Sequence, residues 1–358
     1  MEKIFIWGTG KIANRIVNHF DLSRFDILGF IDNEEEKQGT LFKEYSVFPP
    51  AVLKNKDFDK VLILCNAFQE ISNQITKEYH IHEEKIKDAL YLIRESVVDR
   101  YQGSEDSEIQ EIMEYLKDHK LQVFNYGFAD DYNNMQVEIY YDNENTMFYV
   151  IHQGKKMYFS RKFDTESKVL EYYRSICLEQ DPRSPHAYFD DNFKIDEGEV
   201  VVDLGAAEGN FSLDIIDKAS KVYIIEADKD WVEALELTFK EYASKVVIIN
   251  TYISDVSSGN YDTLDHLITE PVDFIKMDIE GYECQALIGA KNLFGISPRI
   301  KCDICAYHRT GDEENIVRLL EQYAISYTTT KGYMWYPFLE NEDAYSNELR
   351  RGVIRGEK

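Results

Sequence analysis

The stretch Val200–Leu213, which reads VVVDLGAAEGNFSL, constrains the fold more than any other part of this sequence. An apolar run leads into Asp203, and Gly205 and Gly209 follow before the next run begins. This order predicts a buried parallel strand, a tight turn and a helix, with backbone N–H groups exposed at the carboxyl edge of a sheet. The spacing D-x-G-x-x-x-G differs from the dinucleotide pattern G-x-G-x-x-G and from the phosphate loop. We therefore expect an α/β domain that binds a ligand at this turn.

Further strand-like runs follow the turn, and polar residues stand where each run ends. The first, Lys221–Glu226, ends in a carboxylate about twenty residues on, where it can accept hydrogen bonds from ribose hydroxyls. The others are Val246–Asn250 followed by Ser254 and Asp255, Val272–Met277 followed by Asp278 and Glu280, and Arg299–Cys305 followed by His308. Because parallel strands end at a common edge, these residues are expected to meet there.

Together these runs resemble the FkbM family of S-adenosylmethionine (AdoMet)-dependent methyltransferases. The resemblance rests on the D-x-G-A-x-x-G loop, the Glu at a strand end, the S-D pair, T-L-D at Thr263–Asp265 and K-x-D-x-E-G-x-E at Lys276–Glu283. It extends over roughly Glu199–Thr330. Where the family often has E-P-N, this chain has Glu226-Ala-Asp and so keeps the ribose-binding Glu.

The resemblance implies a C-terminal Rossmann-like methyltransferase fold with a seven-stranded, mostly parallel sheet. The residues expected to bind AdoMet are Asp203, Gly205, Ala206, Gly209, Asn210, Glu226, Ala227, Ser254 and Asp255. Methyl transfer to a hydroxyl requires alignment and removal of a proton. The candidates for this catalysis are Asp278, His308 and Glu280, acting either as bases or as ligands of Mg²⁺ or Mn²⁺, with Lys276 as a further candidate base. A helix cap is the alternative role of Asp278.

The first 96 residues predict a second, smaller Rossmann-like unit. Its strand Lys3–Trp7 leads into the turn Gly8–Ala13, of the form G-x-G-x-x-A, and Asp32 stands where a ribose-binding acid belongs. The unit resembles small N-terminal domains of sugar-modifying enzymes that hold a nucleotide sugar. Two interpretations stay open: a working nucleotide or nucleotide-sugar site, or a structural remnant that could support a homo-oligomer.

We divide the chain into residues 1–96, a linker helix with an antiparallel meander at 97–164, the methyltransferase domain at 165–340 and a charged, frayed tail at 341–358. Ser104–Lys120 is the predicted linker helix. Ile325–Thr330 and Tyr333–Tyr336 predict a closing hairpin. The polar loop Glu179–His186 either folds over the cofactor or is an ordinary solvated turn.

The composition of the chain limits the classes of partner that it is expected to bind. With 66 acidic against 40 basic residues, the net charge of -26 repels phosphate backbones and argues against nucleic acid. No run is long enough for a membrane span, and five scattered cysteines fit a reducing cytoplasm. Cys302 and Cys305 lie three apart on a strand, so they face opposite ways and cannot chelate zinc together.

The function that fits best is AdoMet-dependent O-methyl transfer to a sugar or another small, nucleotide-linked substrate. The alternative is a non-catalytic nucleotide-sugar-binding or scaffold protein that keeps the fold. An NAD-dependent oxidoreductase is disfavoured because no Ser/Tyr-Lys set stands at a recognisable spacing.

Overall fold

The computed structural model describes residues 1–20, 22–337 and 346–358, which fall into two compact units. The first comprises the described parts of 1–125 and 335–349, and the second comprises 126–334 and 350–358. The predicted segment 97–164 is therefore not a unit of its own, since its helix belongs to the first unit and its meander to the second. No helix in these described ranges is long and apolar enough to cross a membrane.

The first unit is built on a six-stranded sheet of order β3-β4-β2-β1-β5-β6, parallel except for the β3–β4 pair. Its strands are β1 (Glu2–Trp7), β2 (Phe25–Ile31), β3 (Leu41–Phe42), β4 (Tyr45–Phe48), β5 (Lys60–Ile63) and β6 (Ile86–Lys87). Its helices are α1 (Lys11–His19), α2 (Phe68–Tyr79), α3 (Ala89–Tyr101) and α4 (Ser107–Tyr115). The turn after β1 and the acid after β2 stand where the sequence predicts them. The predicted linker helix is α4, which buries Ile109, Ile112 and nearby Leu116.

The second unit opens with the predicted antiparallel meander and a capped helix. The meander strands are β7 (Ile139–Asp142), β8 (Met147–His152) and β9 (Lys155–Tyr158). The helix α5 (Glu166–Glu179) follows, and the Thr165 hydroxyl caps it by accepting from the Lys168 N–H at 3.4 Å.

A seven-stranded sheet of order β12-β11-β10-β15-β16-β20-β17 forms the centre of this unit. The strands of this sheet are β10 (Val200–Leu204), β11 (Lys221–Ile225), β12 (Val246–Ile249), β15 (Phe274–Met277), β16 (Lys301–Cys305), β17 (Ser326–Thr329) and β20 (Val353–Glu357). Two short pairs are separate from it: β13 (Tyr252–Ile253) with β14 (Tyr261–Asp262), and β18 (Met334–Trp335) with β19 (Leu349–Arg350). The helices are α6 (Asn210–Ile215), α7 (Lys229–Thr238), α8 (Leu264–Leu267), α9 (Glu283–Ile288), α10 (Lys291–Ile296) and α11 (Asp312–Gln322). Single 3-10 turns occur at Glu35–Lys37, Pro50–Lys54, Glu83–Lys85, Gly127–Tyr132 and Lys240–Tyr242.

The predicted fold class is confirmed, because β12, β11, β10, β15 and β16 are parallel in this order and β20 and β17 complete a seven-stranded sheet. Apolar side chains of β10, β15 and β16, such as Val202, Ile275 and Ile304, are fully buried in the core. Burial of this kind fixes the strand ends, and with them the loops at the carboxyl edge.

The predictions of a closing hairpin and of a frayed tail are wrong. Strand β17 pairs with β20, which lies antiparallel between β16 and β17, and not with Tyr333–Tyr336. Val353 and Ile354 are fully buried. Two of the three arginines that make the tail look solvated, Arg350 and Arg355, are buried, so the charge of the segment misled the prediction. Residues 341–345 of the predicted tail lie outside the described residues.

Candidate active site

The glycine loop between β10 and α6 has a backbone shape that only glycine allows at two points. Gly205 and Gly209 adopt φ angles of +69° and +82°. A Cβ on Gly205 would lie 1.8 Å from the carbonyl oxygen of Asp278, and one on Gly209 would lie 2.7 Å from the Leu235 side chain. The loop is therefore pressed against the end of β15, so the predicted cofactor loop and Asp278 are direct neighbours.

Asp203 and Lys276 form a buried ion pair beneath this loop. Lys276 Nζ lies 3.1 Å from Asp203 Oδ1 and donates to the Gly205 carbonyl at 2.7 Å, while Ser212 donates to Asp203 Oδ2. Asp203 is fully buried, so its side chain supports the loop from inside the protein. Burial acts to lower the pKa of Lys276, but the nearby carboxylates of Asp203 and Asp278 outweigh it and hold that pKa above its usual value. These contacts favour the protonated form of Lys276 and argue against a role for it as a base.

Glu226 faces the glycine loop from the end of β11. Its carboxylate accepts the backbone N–H of Ala207 at 2.9 Å and that of Asp228 at 2.8 Å. Ala207, like the two glycines, has a positive φ, of +46°. Glu226 therefore stabilises the loop at the place where the sequence predicts that the ribose binds. Its carboxylate oxygens still have lone pairs that can accept further hydrogen bonds.

The other predicted cofactor residues surround this loop less directly. Ala206 and Asn210 are buried in the loop and at the start of α6, and Ala227 is half-buried. Ser254 is buried after β13 and donates to the exposed Asp255 at 3.0 Å. Among the described residues, neither of this pair forms a hydrogen bond with the glycine loop or with Glu226.

Asp278 is the centre of the site. Its Oδ2 accepts the Tyr188 hydroxyl at 3.0 Å, its Oδ1 accepts the Tyr307 hydroxyl at 3.3 Å, and its side chain is 22% exposed. Burial alone would raise the pKa of this carboxyl, but His308 and Lys276 outweigh it and hold the pKa well below its usual range. Helix α9 begins at Glu283 with Tyr282 at its N-cap, so Asp278 is not the cap of that helix.

His308 lies between carboxylates on both sides of its ring. Nε2 is 3.3 Å from Asp278 Oδ1 and 3.5 Å from Glu280 Oε2, and Nδ1 is 3.1 Å from Glu283 Oε1. Although burial opposes the charged form, hydrogen bonds to Asp278 and Glu283 raise the pKa of His308 to about 10. A ring protonated at neutral pH cannot accept a proton, so the site makes His308 a cation that holds Asp278.

Glu280 differs from the other two predicted catalytic residues. Its side chain is 81% exposed, and its φ of +56° places it in the left-handed region that non-glycine residues rarely adopt. The structure thus brings Asp278, His308 and Glu280 together as predicted, with Glu280 at the solvent side.

The segment before β10, which includes the loop Glu179–His186 whose role the sequence left open, supplies further residues to the site. His186 is buried, and its Nε2 lies 3.1 Å from the Tyr307 hydroxyl and 3.7 Å from Asp278 Oδ2. Burial lowers the pKa of His186 to about 4, so the ring is neutral at physiological pH. Of the two interpretations of the Glu179–His186 loop, the solvated turn is excluded at its end by the burial of His186. The two prolines around it were the available signal, but nothing in the sequence pointed to Tyr188.

Two acids also face the site without having been predicted. Glu208, in the glycine loop, accepts the Tyr172 hydroxyl at 2.8 Å. Glu179 ends α5, and burial together with the charges of Asp278 and Glu208 raises its pKa to about 8. The site therefore holds more carboxylates than cations, and Glu179 carries a proton at neutral pH.

Two groups of potential metal ligands share Asp278 among the described residues, one with His186 and Cys305 and the other with Glu283 and His308. In the second group, the two ring nitrogens of His308 face different carboxylates. One cation can bind only one of the two ring nitrogens. A protonated imidazole, in contrast, can donate a hydrogen bond to each of the two carboxylates at once. Cys302 lies in the hydrophobic core, whereas the Cys305 sulfur is 3.6 Å from His186 Nε2, in keeping with the expectation that the two thiols do not chelate together.

Comparison with known proteins places this site in a family. Residues 156–324 match the model of the methyltransferase FkbM domain, and residues 1–87 match the C2185-like N-terminal domain. No curated protein matches the chain. The methyltransferase FkbM structure from Methylobacillus flagellatus KT is 18% identical, covers 100% of this chain and 90% of its own, and gives a TM-score of 0.44.

Two further solved structures are more distant. SMU.1697c from Streptococcus mutans, solved in complex with SAH, is 15% identical over 46% of this chain and 90% of its own, with a TM-score of 0.31. Trm5b from Pyrococcus abyssi is 18% identical over 59% of this chain and 55% of its own, with a TM-score of 0.33. The assignment rests on the domain model, whose matched residues include the glycine loop, Glu226, Asp278 and His308. Residues 156–324 therefore form an FkbM methyltransferase domain, and the chain is an AdoMet-dependent methyltransferase.

Proposed function

We propose that this methyltransferase acts on a hydroxyl of a sugar or another small substrate, and that Asp278 takes the hydroxyl proton. The observation that carries the proposal is the position of Asp278. Its carboxylate is partly exposed, is ionised, and adjoins the glycine loop, whose Gly205 packs on its backbone. A proton acceptor and a cofactor loop in contact are what O-methylation requires.

The glycine loop fits AdoMet. Gly205 and Gly209 form a cradle that a Cβ would fill, and Glu226 stands beside it with accepting capacity for ribose hydroxyls. When bound, AdoMet supplies an electrophilic methyl group on a sulfonium. Glu226 would bind the ribose, and the backbone of the Gly205–Gly209 loop would hold the remainder of the molecule.

Asp278 suits an O–H donor because it already accepts two. Tyr188 and Tyr307 donate to its two oxygens and fix the plane of the carboxylate. An acceptor hydroxyl would donate to the exposed side of Asp278, and bound AdoMet would supply the methyl group to its oxygen. The proton passes to Asp278. His308 keeps the carboxylate in place, and its positive charge balances the charge of Asp278 before the transfer.

A sugar is favoured over other hydroxyl compounds by the accompanying N-terminal unit, which has the turn and acid of a nucleotide site. The exposed carboxylate of Glu280 and the ionised carboxylate of Asp278 disfavour a phosphate next to the reacting hydroxyl. We therefore infer that the hydroxyl lies on the sugar part of the acceptor, away from any phosphate.

Incubation with AdoMet and a panel of sugars and nucleotide sugars tests the proposal, with mass spectrometry to detect the gain of one methyl group. Asp278→Asn should lower turnover by roughly 10²–10⁴-fold, the usual cost of losing a general base, with AdoMet affinity unchanged. Asp273→Asn is the matched control, because Asp273 adjoins the other end of β15 and accepts the Val200 N–H at 2.8 Å.

Chelator treatment belongs to the same experiment. Because the His308 imidazolium supplies the positive charge beside Asp278, we expect activity to survive chelation without addition of Mg²⁺ or Mn²⁺. Loss of activity that either ion restores would make these residues metal ligands. Normal turnover by Asp278→Asn would place the chemistry elsewhere.

A further inference from the structure

We propose that Arg355, on the C-terminal strand β20, is a positioning residue that holds Tyr188 against Asp278. The proposal rests on the proposed function, since it assigns Arg355 to the active site around Asp278. The role of Arg355 could not be predicted from the sequence, because it stands in a charged C-terminal segment that looks solvated. In the folded protein its side chain is buried.

The Arg355 guanidinium contacts the segment that carries Tyr188 at three residues. Its Nη2 donates to the Ala187 carbonyl at 2.9 Å, its Nη1 pairs with Asp190, and its Cζ lies 5.2 Å from the centre of the Phe193 ring. The contacts fall on both sides of Tyr188 in the chain. One side chain therefore fixes the backbone on either side of the tyrosine whose hydroxyl reaches Asp278 at 3.0 Å.

Two more contacts fasten the same segment to the C-terminal strands. The Thr330 hydroxyl donates to the Pro185 carbonyl at 2.5 Å, and a Cβ on Gly352 would lie 2.2 Å from that same oxygen. Gly352 thus lets β20 approach Pro185 closely. Arg350 extends the arrangement to the other tyrosine, because its Nη1 donates to the Tyr307 carbonyl at 2.6 Å.

The surroundings of the buried Arg355 side chain indicate that it positions neighbouring residues more than it stabilises the fold. Asp303 lies directly opposite Arg355 across the β16–β20 pair, and the Arg355 Nε is 3.5 Å from Asp303 Oδ1. Asp303 is fully buried, and among the described residues neither of its carboxylate oxygens has a hydrogen-bond partner. A buried ion pair with such poor satisfaction is commonly no more stable than well-packed apolar residues. A directional role for the guanidinium accounts for its presence, because its planar fork reaches Ala187, Asp190 and Asp303 together.

The test compares Arg355→Met and Arg355→Lys with wild type in the full-length protein. Hydrogen exchange should rise at Ala187–Asp190 in Arg355→Met, while β10 and β15 keep their protection and AdoMet affinity stays unchanged. Turnover on the acceptor found by the panel should fall by roughly tenfold or more in kcat, and Arg355→Lys should recover part of it. Arg161→Met is the matched control, because the Arg161 side chain pairs with Glu233 at 2.6 Å and bonds to Thr146 rather than to the segment that carries Tyr188.

A double-mutant cycle with Tyr188→Phe separates positioning from a general loss of stability. If Arg355 acts through Tyr188, the double variant should be no slower than Tyr188→Phe alone. Should Arg355→Met fail to fold, Asp190→Asn removes one arm of the contact from a side chain that is 43% exposed.

Unchanged hydrogen exchange at Ala187–Asp190 in Arg355→Met overturns the proposal. Additive effects of Arg355→Met and Tyr188→Phe on kcat also overturn it, as does faster exchange of this segment with normal turnover. Because the exchange measurement uses no acceptor, it stays informative even if Asp278→Asn shows that the proposed chemistry is wrong.

Discussion

At the end of β11, the carboxylate of Glu226 accepts two backbone N–H groups and still has lone pairs for ribose hydroxyls. We expect Glu226→Gln to weaken AdoMet binding by roughly 1.5–3 kcal/mol, or about ten- to a hundredfold in Kd, because an amide offers one accepting oxygen in place of two. Isothermal titration calorimetry of both proteins with AdoMet measures the difference.

Glu233→Gln serves as the control for this change. Glu233 lies on the following helix, is 45% exposed and pairs with Arg161, so its loss should leave the AdoMet Kd unchanged. Equal affinity of Glu226→Gln and wild type would remove Glu226 from the cofactor site.

The raised pKa of Glu179 makes the free energy of unfolding depend on pH in a defined direction. Burial raises its pKa to about 8 in the folded protein from an ordinary value of 4.5. Between these two values the folded chain holds a proton that the unfolded chain releases, so the unfolding free energy falls as the pH rises from 4.5 to 8. Glu179→Gln cannot ionise and should therefore be more stable than wild type at pH 8 and nearly equal to it below pH 4.5.

Thermal melts of both proteins at pH 5, 6.5 and 8 measure this difference. The gap in Tm should widen steadily toward pH 8. A constant gap would mean that Glu179 titrates normally, and the acids around Asp278 would then be more hydrated than their burial indicates.

At the scale of elements, local signals were predictable and long-range pairing was not. The strand, turn and helix from Val200 to Leu213 follow from an apolar run and two glycines, all within one stretch of chain. Strand β20 gave no such signal, because Val353–Glu357 contains an arginine whose partners Asp190 and Asp303 are distant in sequence. Only the folded sheet shows that this charge is buried.

The same limit explains which site residues were found. Asp278 and His308 stand at strand ends, and parallel strands bring their ends together in any protein of this class. Tyr188 lies in an irregular segment with no periodicity, so its contact with Asp278 depends on the path of the loop. The charge state of His308 also escaped prediction, because Glu283 reaches it from the start of α9.

The first turn of the N-terminal unit carries a separate proposal, that a nucleotide or nucleotide sugar binds there. Asp32 accepts the Thr9 hydroxyl at 2.5 Å and the Glu34 N–H at 3.0 Å, and pairs with Lys37 at 3.3 Å. Calorimetry on the full chain with nucleotide sugars and NAD should show binding that Asp32→Asn weakens by roughly tenfold, the cost of a charged hydrogen bond.

Asp59→Asn is the comparison for that experiment, since Asp59 accepts the Lys3 N–H at 2.7 Å, next to the start of β1 rather than its end. If no ligand in the panel binds wild type, the unit is a structural remnant.

For the whole molecule, the charge of -26 sets which partners can approach. Proteins that bind nucleic acid without sequence preference do so through Lys and Arg, typically with a Kd of about 10⁻⁴–10⁻⁶ M at physiological salt. The exposed carboxylate of Glu280 adds local negative charge at the active site, where an RNA substrate would have to place its phosphates. Both the overall and the local charge therefore oppose an RNA acceptor.

We accordingly expect no binding of transfer RNA or single-stranded RNA up to roughly 100 µM protein, even at low salt, where electrostatic attraction is strongest. Fluorescence anisotropy of labelled RNA measures this, with a basic RNA-binding protein as the positive control. A complex of micromolar affinity that weakens steeply with added salt would contradict the prediction, because it would require a cationic surface strong enough to overcome 66 acidic residues. The acceptor would then have to be sought among nucleic acids, and the repulsion argued for Glu280 would be wrong.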